Sequence, residues 1–572
     1  MAARDLLAAS KPRSERMLLE TTGLHTASEY QIKIFRHIEA AIAAKQAGGE
    51  IENAVAAAVA GSGKTTTIVA AAKLFPKAWK VIFVAFNKDI VDELEKRLPQ
   101  NIWAKTLNGL GWGVLRKFIM GENGGVAPKM DKYKVNGIIR RMRSTDRVFD
   151  LLCKEHYSSI KLLVSQAKAN GIVPAELEGR GWVSAEGMED TDDSVWADIL
   201  LHHQKYVSPD VRPSVIAAAR RVLTASLRDE ESFDFDDQKY VSVVRRTESG
   251  NPLPCFKYDG IMIDEVQDVS RIDRLLLEMH KKPEDCRFGT PGTVVMGVGD
   301  PRQAIYGFRG ADVNSIEEFK RAFNAIELPL SISYRCSKAI VEHARAIYPV
   351  IEAAPNAPEG EVATLDQFDI NMLKSSDMVI CRNNAPTVQL AYALIRARIP
   401  VFVKGRDIGR DLMSLIENMK AESVRDLAIK LGLWEEQQCA IIREANPDDE
   451  DSIQRIEDRA DTVRVFIREN ADDNVETLLS DISGMFGGEG YDKNDDRDMR
   501  GKVVISSMHK SKGLEADRVF ILDHHLMYGR WIKEDTWQWT QEMNLDYVAT
   551  TRAMTSLFYI TLKGILQGEA TV

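Results

Sequence analysis

The sequence lacks the features that would assign it to several specialised classes. Its six cysteines include no C-x-x-C pair, and no histidine lies near them at zinc-finger spacing, which argues against a structural metal and a disulfide framework. No apolar run approaches the roughly 18 residues of a membrane span, and the N-terminus lacks the apolar core of a signal peptide. We therefore expect a soluble intracellular protein without membrane contacts, cytoplasmic in a bacterium or phage and nuclear in a eukaryote.

An excess of basic residues is also missing. The formal net charge of −10 argues against a protein that coats nucleic acid by charge alone, but it leaves room for a local basic groove. Solenoid repeats and low-complexity tracts are absent as well. The 572 residues, 44% of them hydrophobic, predict about three or four globular domains at roughly 150 residues each.

Short apolar runs that end in Gly, Ser, Asn or Asp are typical of buried parallel strands. These runs are "AVAAAVAGSG", "KVIFVAFN", "GIMIDE", "TVVMGVGD", "DMVICRN", "KVVISS" and "RVFILD". Amphipathic stretches such as "DIVDELEKRL" separate them, so the pattern predicts an α/β protein with helices covering parallel sheets. The strands fall into two groups, and a helical, strand-poor segment interrupts each group.

This grouping predicts two doubly wound cores with one insertion apiece. The expected segments are the first core in two parts at 1–119 and 231–325 around an insertion at 120–230, and the second core at 326–410 and 501–572 around a smaller insertion at 411–500.

The segment "AVAGSGKTT" follows one predicted strand and precedes a helical stretch, which is the context of a phosphate-binding loop. Gly61 and Gly63 allow backbone N–H groups to close around phosphates, and Lys64 can reach the β and γ oxygens. The Thr65 hydroxyl can ligate Mg²⁺. Ala58 stands where the general pattern has its first glycine.

The segment "YDGIMIDEVQD" ends another predicted strand with two adjacent carboxylates. Neighbouring side chains at a strand tip point in different directions, so Asp264 can hold Mg²⁺ while Glu265 orients and deprotonates a water. Together with the phosphate-binding loop, this pair indicates a nucleoside triphosphatase.

Six motifs in order extend that interpretation: "AGSGKT", "DEVQD", "GDPRQAIYGFRGA", "LSISYRCS", "SSMHKSKGLE" and "LDYVATTRA". This set resembles the UvrD/Rep/PcrA branch of superfamily 1 DNA helicases, and "VAFNKDI" leans toward its F-box DNA helicase and phage-like members. The resemblance implies two RecA-like P-loop domains, each with a mainly helical insertion, that use ATP and Mg²⁺.

The resemblance also implies roles for residues around the nucleotide. Gln31 would read the adenine edge, Tyr334 would stack on adenine, and Glu515 would contact ribose or phosphate. The expected catalytic residues are Lys64, Asp264, Glu265, Gln303, Arg335 and Arg552. The expected nucleotide-binding residues are Gln31, Gly61, Ser62, Gly63, Lys64, Thr65, Thr66, Tyr334 and Glu515, and the expected metal ligands are Thr65 and Asp264.

Arg335 and Arg552 would approach the γ-phosphate from the second core, which would make hydrolysis depend on closure of the two cores.

A track for single-stranded DNA follows from the same resemblance. Its expected residues are Phe86, Thr106, Asn108, Tyr306, Phe308, Arg309 and His509. Aromatic stacking tolerates any base, which suits a motor that must pass any sequence. In the segment "GDPRQAIYGFRGA", Gln303 would sense the γ-phosphate or its attacking water while Tyr306 and Phe308 face the bases, so this segment would couple hydrolysis to movement.

The resulting hypothesis is an ATP-dependent 3′→5′ DNA helicase and single-stranded DNA translocase, with single strands and duplex junctions as partners and a role in DNA repair, recombination or replication. An alternative keeps the ATPase but makes it strip proteins from single-stranded DNA with little unwinding. A third interpretation is a slowly hydrolysing ATP-gated binding module, against which Lys64, Glu265, Arg335 and Arg552 argue. An RNA helicase is disfavoured by "IYGFRGA".

Overall fold

A computed structural model describes residues 13–122, 124–203, 207–283, 292–305, 315–445, 450–470, 474–486, 499–528, 534 and 536–563. The chain forms two compact units. The first comprises Met1–Ala58 and Gly63–Ser331, and the second comprises Val59–Ser62 and Ile332–Val572. Among the described residues, no helix is both long and apolar enough to cross a membrane.

The first unit is built on a six-stranded parallel sheet with the strand order β3-β2-β6-β7-β1-β8. A separate short pair joins β4 to β5. The strands are β1 Asn53–Ala58, β2 Val81–Ala85, β3 Ile102–Thr106, β4 Lys129–Met130, β5 Ser232–Phe233, β6 Gly260–Ile263, β7 Val294–Gly299 and β8 Ala325–Leu330.

Helices cover both faces of this sheet, and α6 to α9 lie within the predicted first insertion at 120–230. They are α1 Glu15–Thr22, α2 Glu29–Gln46, α3 Lys64–Ala72, α4 Lys88–Glu95, α5 Leu107–Glu122, α6 Lys134–Thr145, α7 Arg147–Asn170, α8 Ser194–His202, α9 Arg212–Arg228, α10 Asp237–Val244, α11 Arg271–Met279 and α12 Ser315–Phe323. Alternate residues of β2 enter different cores: Val81 and Phe83 pack on one side, and Ile82 and Val84 on the other. Burial on both faces explains why the strand reads as a continuous apolar run.

The second unit repeats the plan with a parallel sheet in the order β11-β16-β15-β12-β14-β13. Its strands are β9 Ile332–Ser333, β10 Glu352–Ala353, β11 Glu361–Leu365, β12 Met378–Cys381, β13 Val401–Lys404, β14 Val503–Ser507, β15 Ala516–Leu522 and β16 Ala553–Ile560. Its helices are α13 Lys338–Ala344, α14 Asn384–Arg396, α15 Arg406–Met419, α16 Val424–Ala445, α17 Glu450–Glu469, α18 Val475–Met485 and α19 Trp537–Thr550.

All seven predicted strands are present, and the predicted α/β class with two parallel sheets is confirmed. Strands that alternate or carry polar residues were missed, as β3 "IWAKT" and β8 "AIELPL" illustrate. Because β8 pairs with β1, the boundary between the units falls after Ser331, six residues later than the predicted end of the first core at 325. The insertion boundaries stay predictions.

Candidate nucleotide and DNA sites

The strand order of the first sheet lines up the expected functional residues along its carboxyl edge. Since all six strands are parallel, the segments that follow them emerge at one edge, where ligands bind in open α/β sheets. Along the order β3-β2-β6-β7-β1, the segments after the strands carry Thr106 and Asn108, then Phe86, then Asp264 and Glu265, then Asp300 and Gln303, and finally the phosphate-binding loop. The candidate catalytic acids therefore lie between the DNA candidates and the loop.

The start of α3 has the properties of an anion site. Gly61 and Gly63 adopt φ angles of 72° and 75°, in the left-handed region that favours glycine. No side chain caps the helix at Gly63, so its first N–H groups and the positive end of its dipole remain for phosphate oxygens. The ammonium of Lys64 lies 3.8 Å from Glu265 Oε2.

Thr65 and Asp264 form a pair of hard oxygen donors. The Thr65 hydroxyl donates a hydrogen bond to Asp264 Oδ2 at 3.0 Å. Burial and then the Glu265 carboxylate raise the pKa of Asp264 to about 7, and Lys64 opposes this shift. A hydroxyl beside a carboxylate that lacks a full counter-charge fits Mg²⁺, which takes one or two protein oxygens and completes its shell with waters and phosphates.

Glu265 is held in a strained position and joined to the end of the next strand. Its φ of 56° lies in the left-handed region, which costs a non-glycine residue about 1–3 kcal/mol. Gln267 Nε2 donates to Glu265 Oε2 at 2.5 Å, and Gln267 Oε1 accepts from the Asp300 backbone N–H at 2.9 Å. A Cβ at Gly299 would lie 2.5 Å from Gln267 Oε1, so a larger residue there would displace the Gln267 amide from this position.

The connection continues from Asp300 to Gln303. Gln303 Nε2 donates to Asp300 Oδ2 at 2.6 Å, and the Arg302 N–H donates to Asp300 Oδ1 at 3.0 Å. Burial raises the pKa of Asp300 to about 6. A polar chain thus runs from Glu265 through Gln267 and Asp300 to Gln303. Gln267 was not predicted as a site residue, although its place two residues after Glu265 is a usable signal.

Gln31 is buried in the structure rather than exposed on its helix. Its Oε1 accepts from the Ser28 N–H at 2.9 Å, which completes a capping box at the start of α2, and its Nε2 donates to Thr67 Oγ1 at 2.9 Å. An amide side chain has two donors and two acceptor positions, so these bonds leave one of each, which matches the edge of adenine. Its role with adenine stays a prediction.

Residues Val59–Ser62 of the loop belong to the second unit. Within that unit, the Tyr334 N–H donates to Gly61 O at 2.9 Å, and the Ala60 N–H donates to the Tyr547 hydroxyl at 3.0 Å. A Cβ at Gly61 would lie 2.5 Å from Arg335 Cβ, which gives this glycine a second requirement besides its φ. Ser62 is buried and Thr66 is exposed. The sequence analysis gave Tyr547 no role.

The nucleotide candidates of the second unit lie at the amino edge of its sheet. Glu515 and Arg552 immediately precede the neighbouring strands β15 and β16. Arg335 Nε pairs with Glu515 Oε2 at 2.8 Å, which brings two predicted residues together. Arg552 is only 2% exposed and donates to Val548 O at 2.8 Å and to Leu514 O at 3.1 Å. Tyr334 is exposed.

The DNA candidates of the first unit differ in how they are held. Phe86 follows β2 with 40% of its surface exposed. Thr106 Oγ1 accepts from the Gly109 N–H at 3.0 Å, and Asn108 Nδ2 donates to Phe235 O at 2.6 Å. The three expected contacts Tyr306, Phe308 and Arg309 lie outside the described residues.

Phe235 is an exposed aromatic that the sequence analysis missed. It is 58% exposed and lies between two buried aspartates, Asp234 and Asp237. Lys168 Nζ contacts Asp234 Oδ2 at 2.6 Å and Asp237 Oδ1 at 2.8 Å, and Lys134 Nζ contacts Asp237 Oδ2 at 3.1 Å. Burial alone would lower the pKa of Lys168, but the two carboxylates outweigh it and raise that pKa. Buried charges thus fix the turn that presents Phe235 beside Asn108.

His509 follows β14 at the carboxyl edge of the second sheet. Burial and then the positive charges of Arg382, Arg455 and Lys510 lower the pKa of His509 to about 3. Arg382 forms two 2.9 Å bonds with Glu542. A neutral histidine among three cations can accept or donate a hydrogen bond while the cations attract phosphate.

The fold and the geometry of these sites are those of a P-loop protein with two parallel-sheet units. The UvrD/REP helicase N-terminal domain matches residues 41–324, and the UvrD-like helicase C-terminal domain matches residues 406–564. The chain therefore belongs to the UvrD/REP helicases, which confirms the family resemblance drawn from the motifs.

Individual relatives agree with this assignment. The chain is 23% identical over 533 residues to F-box DNA helicase 1 of Gallus gallus, covering 87% of this chain and 46% of the relative. It is 24% identical over 308 residues to the ATP-dependent DNA helicase PcrA of Bacillus subtilis, covering 50% and 36%. For the ATP-dependent DNA helicase srs2 of Schizosaccharomyces pombe, the identity is 22% over 314 residues, covering 52% and 33%. The chain spans less than half the length of these relatives, and their names agree with the predicted enzyme class.

Proposed function

We propose that this chain is an ATP-dependent 3′→5′ DNA helicase that translocates along single-stranded DNA. The observation that carries the proposal is the polar chain from Glu265 through Gln267 and Asp300 to Gln303. It lies between the strands that end at the DNA candidates and the strand that ends at the phosphate-binding loop. Membership in the UvrD/REP helicases supports the same conclusion.

In this proposal, the N-terminus of α3 and the ammonium of Lys64 hold the β- and γ-phosphates of ATP. Gln31 reads adenine with the donor and acceptor that its two bonds leave unused. Thr65 and Asp264 hold Mg²⁺, which when bound neutralises charge on the phosphate oxygens. The chemistry that remains for the protein is to place a water and to stabilise the charge that develops.

Glu265 orients the attacking water and accepts its proton as the bond between the γ-phosphorus and the ADP oxygen breaks. The bond from Gln267 fixes the direction of this carboxylate, since a strained backbone alone would leave the side chain free to rotate. Gln303 contacts the γ-phosphate or the water. Loss of the γ-phosphate therefore changes the partners of Gln303.

Arg335 and Arg552 stabilise the charge on the γ-phosphate in the same proposal. Arg335 exchanges its pairing with Glu515 for phosphate, and Glu515 becomes available to the ribose. Phe86, Thr106, Asn108 and His509 contact the single strand, and Phe235 adds an aromatic face beside Asn108. Tyr306, Phe308 and Arg309 complete the track. The cellular process is repair, recombination or replication of DNA.

The test is an unwinding assay on duplexes with a 3′ or a 5′ single-stranded tail, run beside ATP hydrolysis with single-stranded DNA and with RNA. We expect unwinding of the 3′-tailed duplex, together with hydrolysis stimulated by DNA and not by RNA. Glu265→Gln keeps the size of the side chain and removes the base, so this variant should bind ATP without turnover and serves as the control.

The outcomes separate the alternatives. Displacement of streptavidin from biotinylated single strands without duplex unwinding would replace the helicase with a protein-stripping translocase. Hydrolysis that DNA does not stimulate would leave an ATP-gated binding module and overturn the proposal. Unwinding of the 5′-tailed duplex alone would reverse the assigned direction.

A further inference from the structure

An exposed cluster of aromatic and basic side chains lies on the first unit, away from its carboxyl edge. Trp103 of β3 and Phe256 are 40% and 54% exposed, and their ring centroids are 6.1 Å apart in an edge-to-face arrangement. Tyr258 lies beneath them, 4.9 Å from Phe256 and 6.2 Å from Trp103. Among the described residues, β3 pairs with β2 only, so β3 is the outermost strand on its side of the sheet and the cluster lies beside it.

Lysines surround these rings. Lys80 Nζ lies 5.3 Å from the centroid of the Trp103 ring, and Lys105 and Lys257 are both exposed. The nearby carboxylate of Asp259 is already shared between Lys45 at 3.2 Å and Lys282 at 2.5 Å. The cluster therefore carries a local positive charge on a chain whose net charge is −10.

His280 lies below the cluster, and its pKa responds to the same positive charges. Its ring lies 5.7 Å from Tyr258, and its Nδ1 contacts Phe256 O at 2.6 Å. Burial and then the charges of Lys257 and Lys105 lower its pKa to about 4. The hydrogen bond to Phe256 O opposes this shift, and the contribution of the two lysines agrees with a surface that attracts anions.

The cluster continues from the DNA contacts proposed above. Trp103 and Lys105 share one face of β3, and Thr106 ends the same strand. Three residues of a strand span about 10 Å, so a nucleic-acid strand that reaches Thr106 needs one or two further nucleotides to reach Trp103. Exposed rings among lysines form the combination that binds single strands, because the rings stack on bases while the ammonium groups attract phosphates.

We propose that Trp103, Phe256 and Lys80, with Lys105 and Lys257, form a second contact surface for single-stranded DNA that extends the track beyond Thr106. This inference rests on the proposed function, since the track at Thr106 is part of it. An acidic peptide is the competing occupant, and the continuity with Thr106 along β3 favours DNA.

The experiment measures binding of fluorescein-labelled oligo-dT of about 8 and about 20 nucleotides to the full chain by anisotropy, at several salt concentrations. The test variant is Phe256→Ala with Lys80→Glu, at two exposed positions outside the hydrophobic core. The matched control is Tyr133→Ala with Lys132→Glu, because these residues form another exposed ring and lysine pair, with Lys132 Nζ 4.7 Å from the ring centroid.

We expect the test variant to bind the long oligonucleotide about tenfold more weakly, with a reduced dependence of affinity on salt. Its affinity for the short oligonucleotide should stay unchanged, and the control variant should match the wild type on both. Unchanged affinity of the test variant for the long oligonucleotide would overturn the inference. A Glu- and Leu-rich peptide is measured beside the oligonucleotides, and a test variant that loses affinity for this peptide alone would also overturn it. If the wild-type chain binds neither oligonucleotide, the proposed function fails as well.

Discussion

The two sheets use their edges differently. In the first unit, the DNA candidates, the catalytic candidates and the phosphate-binding loop lie at or directly after strand ends, so they share the carboxyl edge, whereas Gln31 lies on α2. In the second unit, Glu515 and Arg552 precede β15 and β16 at the amino edge, whereas His509 follows β14 at the carboxyl edge. One sheet thus brings the two groups of candidates to the same edge, and the other separates them by the length of its strands, about 15–20 Å.

This difference predicts that each unit relates its nucleotide candidates to its DNA candidates in a different way. In the first unit, we expect a change in the contacts of Gln303 to affect the DNA candidates through the segments that follow neighbouring strands, because β6 and β7 lie between β2 and β1. In the second unit, we expect nucleotide to act at the amino edge. The carboxyl edge would then move only together with the whole unit, since a packed sheet does not deform along its strands. Substitutions at the amino edge and at the carboxyl edge of the second unit should therefore have separable effects on ATP hydrolysis and on DNA binding.

The largest expected effect comes from the first unit. Lys64→Ala removes the cation from the phosphate-binding loop and should reduce hydrolysis of ATP more than about 10³-fold. Steady-state phosphate release measures this effect. Lys77→Ala, an exposed lysine of the same region, is the control. Full activity of the Lys64 variant would remove the phosphate-binding role from this loop.

Next in size is Arg335→Ala, at the amino edge of the second unit. We expect kcat for hydrolysis to fall by about 10³-fold, the lower end of what a supplied arginine contributes. The affinity for single-stranded DNA without nucleotide should stay unchanged, because His509 lies at the opposite edge. Arg345→Ala, whose guanidinium pairs with Glu342, is the control. If Arg335→Ala lowered the affinity for single-stranded DNA as much as it lowers kcat, the separation of the two edges would be contradicted.

Asp237→Asn should lower the free energy of unfolding of the first unit by about 3–5 kcal/mol, because it removes the carboxylate that buried Lys134 pairs with and one of the two carboxylates that buried Lys168 contacts. Urea denaturation followed by circular dichroism measures this change. Asp236→Asn, one residue earlier and exposed, should have little effect. Comparable losses in both variants would show that the charge network does not hold the turn at Phe235.

The pH dependence of stability should report His280. Its pKa is about 4 in the folded unit and 6.5 as the ordinary value, so the unfolded chain binds more protons between these pH values. Stability is therefore lost as the pH falls from 6.5 to about 4, by on the order of 3 kcal/mol. His280→Asn can keep the donor to Phe256 O without titrating, and its stability should depend less on pH. Parallel profiles for both proteins would exclude this assignment.

The smallest expected effect is at the carboxyl edge of the second unit. His509→Ala should weaken binding of single-stranded DNA about fivefold, because one neutral hydrogen-bonding group contributes about 1 kcal/mol. Hydrolysis without DNA should be unchanged. The control is His525→Ala, an exposed histidine in the same unit. A large fall in hydrolysis without DNA would instead assign His509 to the nucleotide.

Much of the first unit's site could be predicted because its residues follow buried strands. An apolar run that stops at "DE" or at "GSGKT" places its polar residues at a sheet edge, and parallel strands bring those edges together. The polar chain could not be predicted in the same way. Gln267 and Gly299 are ordinary residues in the sequence, and their contact depends on the register between β6 and β7.

The second unit was harder to interpret for a physical reason. Arg335 and Glu515 are separated by 180 positions in the sequence, and only the motifs of the family marked them. Their pairing depends on where a short segment after β9 meets the amino end of β15. Likewise, Trp103 and Phe256 are unremarkable singly, and packing on Tyr258 makes them a surface.

The sequence by itself determined the α/β class and the positions of the candidate phosphate-binding loop and candidate acids after buried strands, because these depend on local hydrophobic patterns and short motifs. The tertiary structure decided which side chains share a hydrogen bond, which charges are buried together and which aromatic rings stay exposed. Those properties depend on strand order and packing between residues that are distant in the chain, and no local pattern encodes them.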